Sequence, residues 1–283
     1  MKYTFVSHNI AKSPVSLAAL LTFYSTQPAD FICLQEPPWI PIGTQPSQQH
    51  AAGTPIKGLP STPGWRQYLP PVPPRAFPSA CILVRDSLPW GAIGLDTTLT
   101  IPRYTVALSC GTEAGPFTII SAYLPPRNIA GHPHAEEDLL SLDIPANQNV
   151  ILCGDFNRHN AAWSPTEWGP SDTRYSGDLI YWFANQGLSV INTPKIVTRH
   201  DPHFHNSTID LVLISPPLLE VCPDEDISIL WDRPTASDHA VLEWTWTPLQ
   251  ALTEDPLAPP RALGPLEDKY VETWMEPLHN AFA

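Results

Sequence analysis

Ten short apolar runs, none longer than eight residues, punctuate this chain: 3–10, 30–36, 80–85, 104–110, 117–124, 149–154, 188–192, 209–214, 227–231 and 240–246. Runs of that length bounded by Pro, Gly or polar residues read as β-strands. Helical patterns are scarcer. Residues 14–25, PVSLAALLTFYS, follow Ser13 as an N-cap and open on Pro14, a first-turn residue. Residues 134–142 read HAEEDLLSL, and 174–187 read RYSGDLIYWFANQG, where Gly187 is a natural stop. Many strands with helices placed irregularly among them predict a mixed α/β sheet protein, not a regular βαβ array. No internal repeat is visible.

A chain of 283 residues, 43% hydrophobic, can bury a sizeable core as one large domain or two small ones. Its 35 prolines are more than twice ordinary usage. They crowd into 37–89 and again beyond 247, where long rigid loops are expected. The organisation expected is a main domain over 1–247, a Pro-rich linker over 248–265, and a helical segment over 266–283. In that last segment Tyr270, Val271, Trp274, Met275 and Leu278 recur at helix-like spacing. It fits either a helix folded back on the body or the start of a further region. The opening MKYTFVSHNI alternates like a strand and lacks a signal-peptide core, and no apolar run approaches the ~20 residues of a membrane span.

Five cysteines, without a CxxC pair, speak against a structural zinc site. Cys33, Cys81, Cys110 and Cys153 all fall inside strand-like runs, which predicts small buried thiols and a reducing, intracellular setting. The net charge of −13 makes the chain an awkward partner for a polyanion. Acids concentrate at 136–143, 220–226 and 254–276, whereas 195–205, KIVTRHDPHFH, is locally basic. The pattern is compatible with a basic rim on an acidic body.

Several strand-like runs deliver polar residues at one end. Run 3–10 carries His8 and Asn9, and run 30–36 ends in Gln35-Glu36 before two prolines. Run 117–124 brings Tyr123 up to Pro125-Pro126, and 149–154 drives into Asp155 and Asn157. Each alone is an ordinary turn or edge residue. Asp210 is different, because a carboxylate between Ile209 and Leu211 is costly unless it is paired or hydrogen-bonded. Ser237-Asp238-His239 precedes the last run.

Taken together, QEP at 35–37, SAYLPP at 121–126, GDFN at 154–157, STID at 207–210 and SDH at 237–239 resemble the ordered motifs of the endonuclease/exonuclease/phosphatase superfamily. CGDFNRHNAAW, GLSVINTP at 187–194, TR at 198–199 and NSTIDLVLIS at 206–215 resemble, more narrowly, the endonuclease domains of non-LTR (LINE-type) retrotransposons. The resemblance implies a four-layer α/β/β/α sandwich, two mixed and mostly antiparallel sheets packed face to face with helices outside. It implies a metal-dependent DNA endonuclease that nicks target DNA, with a reverse transcriptase region located elsewhere and a nuclear site of action. Mg²⁺, or Mn²⁺ in its place, would be the cofactor; Mg²⁺ takes one or two protein carboxylates and keeps several waters. Glu36 is the first-choice ligand, with Asn9 orienting the metal's shell and Asp238 contributing.

The remaining roles are those the resemblance implies. Asp155 would orient or deprotonate the attacking water, and Asn157 would hold that water or a phosphoryl oxygen. His239, held by Asp210, would donate to the phosphate, and Tyr123 would hydrogen-bond it. Ser207 and Thr208 would shape that contact, and Arg158, His159 and Arg199 would touch nucleic acid. Some superfamily members carry an extra histidine between the Tyr and GDFN motifs; His132 and His134 lie there, but no local motif selects either. Zinc at His200, His203 and His205 is disfavoured by loose spacing around a proline. Two other readings stand beside the nuclease: a phosphatase or phosphodiesterase acting on a small molecule or lipid headgroup, and a catalytically dead binding module or retroelement relic.

Overall fold

The computed structural model describes residues 2–45, 54–88, 93–112, 115–127, 134–145, 148–165, 176–201, 205–219 and 227–246. The expected linker and terminal helical segment lie outside these residues. Strands are β1 Tyr3–Asn9, β2 Phe31–Gln35, β3 Ile40–Gln45, β4 Thr54–Gly58, β5 Trp65–Tyr68, β6 Ala80–Arg85, β7 Ile93–Leu95, β8 Thr105–Thr112 and β9 Gly115–Tyr123. They continue with β10 Asn149–Asp155, β11 Ser189–Val190, β12 Asp210–Ile214, β13 Ser228–Leu230 and β14 Val241–Trp246. Helices are α1 Pro14–Thr26, α2 Ala135–Leu140, α3 Gly177–Asn185 and the short α4 Pro216–Leu219.

Two six-stranded sheets form, in the orders β13-β14-β1-β2-β6-β5 and β11-β12-β10-β9-β8-β7. Each holds one parallel pair, β1/β2 or β9/β10, flanked by antiparallel neighbours. Read from opposite ends, the two sheets repeat the same succession of parallel and antiparallel pairings, an internal two-fold plan that the sequence conceals. In both, a helix lies between the paired parallel strands in sequence, α1 in the first and α2 in the second. Parallel strands require such a crossover.

Strand alternation explains the layering. Phe5, Phe31, Ile82, Phe117, Ile119, Ile151, Val212 and Trp244 turn to the interior between the sheets. Val6, Ile32, Leu34 and Leu83 face the other way and pack with Leu17, Leu20 and Tyr24 of α1. Ile120, Val150, Leu152, Leu211 and Leu213 meet Leu139 of α2 and Leu179, Trp182 and Phe183 of α3. The expected four layers are thus present, each interface with its own core. Phe5 stacks between its cross-strand neighbours Phe31 and Trp244 at 5.2 and 5.5 Å, and Phe117 of the other sheet meets Phe5 and Phe31 edge-on. Such pairs add about 0.5–1.5 kcal/mol beyond burial.

Local signals act where expected. The Ser13 hydroxyl accepts the Ser16 N–H at 3.1 Å with Pro14 in the first turn, and Gly187, at φ +67°, ends α3. The four thiols Cys33, Cys81, Cys110 and Cys153 are free and buried. The Pro-rich stretch 37–89 differs from expectation, because it contains β3, β4 and β5 as well as loops. The β3/β4 ribbon carries Pro41 and Pro55, and its register shifts between Pro41 and Gly43. An isolated two-stranded ribbon leaves outer N–H positions unpaired, so proline costs it little.

Gly154 fixes how β10 ends. Its φ is +154°, and a Cβ there would sit 1.9 Å from the Ala122 carbonyl oxygen of β9. Gly154→Ala is expected to lower stability by at least about 2 kcal/mol, read as a shift in the urea midpoint.

Candidate active site

The carboxyl ends of β1, β2, β9 and β10 converge on one edge of the sandwich, where four polar contacts cross from sheet to sheet. Asn9 Nδ2 at the end of β1 donates to Asp155 Oδ2 at the end of β10, at 2.8 Å. Gln35 Nε2 of β2 donates to Ser121 Oγ of β9 at 3.1 Å. The Tyr123 hydroxyl donates to Glu36 Oε1 at 3.1 Å. His239 Nδ1, just before β14, lies 2.9–3.0 Å from both oxygens of Asp210 at the start of β12. Register makes this inevitable once the sheets pack, since Asn9 pairs with Gln35, Tyr123 with Asp155, and Asp155 with Asp210.

Asp155 is buried and held on all sides. Its Oδ1 accepts the Asn157 N–H at 2.9 Å, and its Oδ2 accepts Asn157 Nδ2 at 3.1 Å in addition to Asn9. Asn157 adopts φ +46°, a left-handed conformation that asparagine tolerates, and its amide also donates to the Leu124 carbonyl. Burial raises the Asp155 carboxyl, the neighbouring Asp210 charge adds to this, and His239 with the asparagines opposes it; the result is about 7. For His239, burial alone would lower the imidazole, but the Asp210 carboxylate, with Asp155 and Asp238, outweighs burial and holds it at about 9. With Nδ1 occupied by Asp210, the charged ring presents Nε2–H toward Asp155 Oδ2, 4.0 Å away. A single oxygen atom can bridge that gap.

Glu36 is partly exposed and sits at φ +48°. Its Oε1 receives the Lys12 ammonium at 2.8 Å as well as Tyr123. Burial and the charges of Glu36 and Asp155 push the Tyr123 phenol well above its ordinary range, so it stays a neutral donor. Asp238 Oδ2 accepts from Arg199 Nε at 2.9 Å, and its Oδ1 lies 3.8 Å from His239 Nε2. Asp155, Asp210 and His239 present ligand-type atoms within 4.8 Å of one another, but the tight His239–Asp210 pair fits an imidazole held by a carboxylate better than two ligands of one ion. Glu36 suits a hard divalent cation better: an oxygen donor, accessible, already attracting a cation in Lys12.

The structure brings together Asn9, Glu36, Tyr123, Asp155, Asn157, Asp210, Asp238 and His239. Arg199 lies at the rim, bonded to Asp238 and to Asp201 at 3.3 Å. Three residues expected to contact substrate turn inward. The Arg158 guanidinium is buried, paired with Glu136 at 2.7 Å and donating to the Pro125 and Asn157 carbonyls. The Thr208 hydroxyl is buried and donates to the Ile196 carbonyl. Ser207 is buried, its backbone bridged to Arg199. His159 is half-buried. His200 stacks on Trp231 at 4.0 Å, and His203 lies outside the described residues.

Sequence reasoning missed the residues that hold the site. His8 is buried and pushed down to about 4, first by desolvation. It is therefore neutral, and since the Ala240 carbonyl at its Nδ1 can only accept, its Nε2 accepts from the Thr235 hydroxyl. His8 thus straps both ends of the segment carrying Asp238 and His239. The Thr198 hydroxyl accepts the N–H groups of Ile209 and Asp210, and the Asn192 amide bonds the Asp210 carbonyl and Val212 N–H. A buried polar residue beside each motif is the signal that could have found them.

A family profile described as endonuclease-reverse transcriptase matches residues 117–243. Among solved structures, the endonuclease domain of TRAS1, a telomere-specific non-LTR retrotransposon, superposes with TM-score 0.64 at 17% identity, covering 88% of this chain and all of that one. An AP endonuclease from Leishmania major gives 0.62 at 13%, covering 87% of each chain. An endonuclease/exonuclease/phosphatase family protein from Leptotrichia buccalis gives 0.52 at 11%, covering 86% of this chain and 98% of that one. A search of curated proteins gave no match. The chain therefore has the fold shared by these nucleases, and its residues 117–243 resemble the endonuclease-reverse transcriptase family. No helix among the described residues is long and apolar enough to cross a membrane.

Two outcomes follow from the geometry. In metal-free protein the His239 imidazole should titrate near 9 by NMR, and Asp210→Asn should lower it markedly, because only the Asp155 and Asp238 charges then oppose burial. A raised folded-state value means that His239 contributes stability below pH 6.5, and that this is lost as pH rises through about 9. Arg158→Ala should cost roughly 1–3 kcal/mol in urea unfolding, by removing the donor to Glu136 Oε2 and to the Pro125 and Asn157 carbonyls, and should leave DNA affinity unchanged.

Proposed function

We propose that the protein is a divalent-metal-dependent endonuclease that hydrolyses a phosphodiester bond of DNA, nicking a target strand as a retrotransposon endonuclease does. One observation carries this reading: a carboxylate poised near neutrality, Asp155, faces a charged imidazole, His239, across a gap that one oxygen fills. A carboxylate near neutrality can take a proton while a charged imidazole donates one, the two halves of acid–base work.

Asp155, oriented by Asn9 and Asn157, positions the attacking water and accepts its proton. His239, held by Asp210, donates Nε2–H to a phosphoryl oxygen and stabilises the charge that builds there. The neutral Tyr123 hydroxyl is a further donor to the phosphate. Glu36 would hold the divalent ion, Mg²⁺ or Mn²⁺, with Asp238 and the Asn9 amide beside it. Once bound, such an ion neutralises phosphoryl and leaving-group charge. Arg199, at the rim, contacts the strand. In a retroelement the nicked 3′-hydroxyl would prime a reverse transcriptase carried elsewhere, and the work would be done in the nucleus.

The net charge of −13 favours a second reading, a phosphatase acting on a small molecule or lipid headgroup. Supercoiled plasmid incubated with Mg²⁺, Mn²⁺ or EDTA separates the two. Nicking abolished by EDTA and lowered about 10²–10⁴-fold in Asp155→Ala and His239→Ala is the expected result. Phosphate release from small esters without nicking selects the second reading. A wild type as inert as His239→Ala, with both retaining DNA binding, selects a binding module.

A further inference from the structure

Lys12 occupies an unusual position. The chain leaves β1 through Ala11 and Lys12, both left-handed at φ +49° and +59°, before Ser13 caps α1. Left-handed backbone at non-glycine residues is uncommon and collects at functional sites. Glu36, the residue Lys12 faces, is left-handed as well. The two are joined twice: Lys12 N–H donates to the Glu36 carbonyl at 2.8 Å, and the Lys12 ammonium meets Glu36 Oε1 at 2.8 Å. The backbone bond fixes where the lysine starts. Its side chain, 57% exposed, remains free to swing out with little loss of packing.

The charges around the cleft explain why this matters. Asp210 is matched by His239, and Asp238 with Asp201 by Arg199. Glu36 is matched by Lys12. A divalent ion on Glu36 would confront an ammonium already on the same carboxylate, and two cations on one carboxylate repel, so each weakens the other's hold.

We propose that Lys12 is a built-in counter-cation of Glu36 that exchanges with the divalent ion, occupying the carboxylate in the metal-free protein and weakening metal binding by competition. This rests on the reading of Glu36 as the metal's ligand. The exchange keeps Glu36 aimed and charge-balanced before metal arrives, and leaves a tethered ammonium beside the phosphate afterwards.

Isothermal titration of metal-free, DNA-free protein with Mg²⁺ tests it. Lys12→Met removes the competitor with little change of shape and should tighten Mg²⁺ about two- to fivefold, the range an exposed ion pair can supply. Lys12→Arg should keep the weaker wild-type affinity. The gain in Lys12→Met should shrink as NaCl rises, because salt screens the pair. Unchanged or weaker Mg²⁺ binding by Lys12→Met, in protein whose Glu36→Gln variant has lost it, overturns the exchange while leaving Glu36 as ligand. Wild type and Glu36→Gln titrating identically would instead remove the ligand reading, and this proposal with it.

Discussion

The hydrogen bond from Asn9 to Asp155 is the contact on which the site depends, because it joins the end of one sheet to the end of the other. Two sheets packed through an aromatic core can slide by a fraction of an ångström at modest cost, whereas a buried amide–carboxylate bond of 2.8 Å cannot. Beside it, Gln35–Ser121 and Tyr123–Glu36 repeat the same seam from neighbouring strands. The site is therefore not placed upon the fold. It is the polar closure of the inter-sheet core, at the edge where both parallel strand pairs end.

That origin explains the electrostatics. Buried carboxylates at the top of an apolar core must be paired, bonded or protonated. Asp210 is paired with His239, and Asp155, with only amide donors and a distant imidazole, is pushed toward neutrality. Desolvation therefore acts on both residues but reaches opposite outcomes, because Asp210 supports the charge on His239 and opposes that on Asp155. An acid and a base arise from one environment without any further device.

The strand ends and their order were legible in the sequence, since apolar runs halted by Asn9, Glu36, Tyr123, Asp155 and Asp210 fix which residues reach the edge. Side-chain direction beyond the edge was not. Arg158 follows GDFN directly and looks like a surface base, yet α2 supplies Glu136 and turns it inward. Thr208 sits two residues from Asp210, and its hydroxyl finds the Ile196 carbonyl of a segment twelve residues away. Such partners come from elsewhere in the chain, so no local pattern announces them. The same holds for His8, whose ring reaches residues more than two hundred positions distant. The β3/β4 ribbon was hidden for a different reason, because its prolines mimic the loops around it.

The total charge of the chain is a poor guide to the field over this cleft. Glu136, within the acidic stretch that seemed to oppose a polyanion, is neutralised by Arg158 and Arg127 and held below the ordinary carboxylate range. Arg199 spans Asp201 and Asp238, and Arg233 lies 3.5 Å from Glu243, which also accepts from Tyr24. Each of these acids is met by a cation. An incoming phosphate senses chiefly the charges within a Debye length of about 8 Å, and at the cleft His239, Lys12 and Arg199 nearly balance Asp210, Glu36, Asp201 and Asp238. Acids beyond that distance are screened, so a strongly acidic chain and a polyanionic substrate are compatible when the pairing is local.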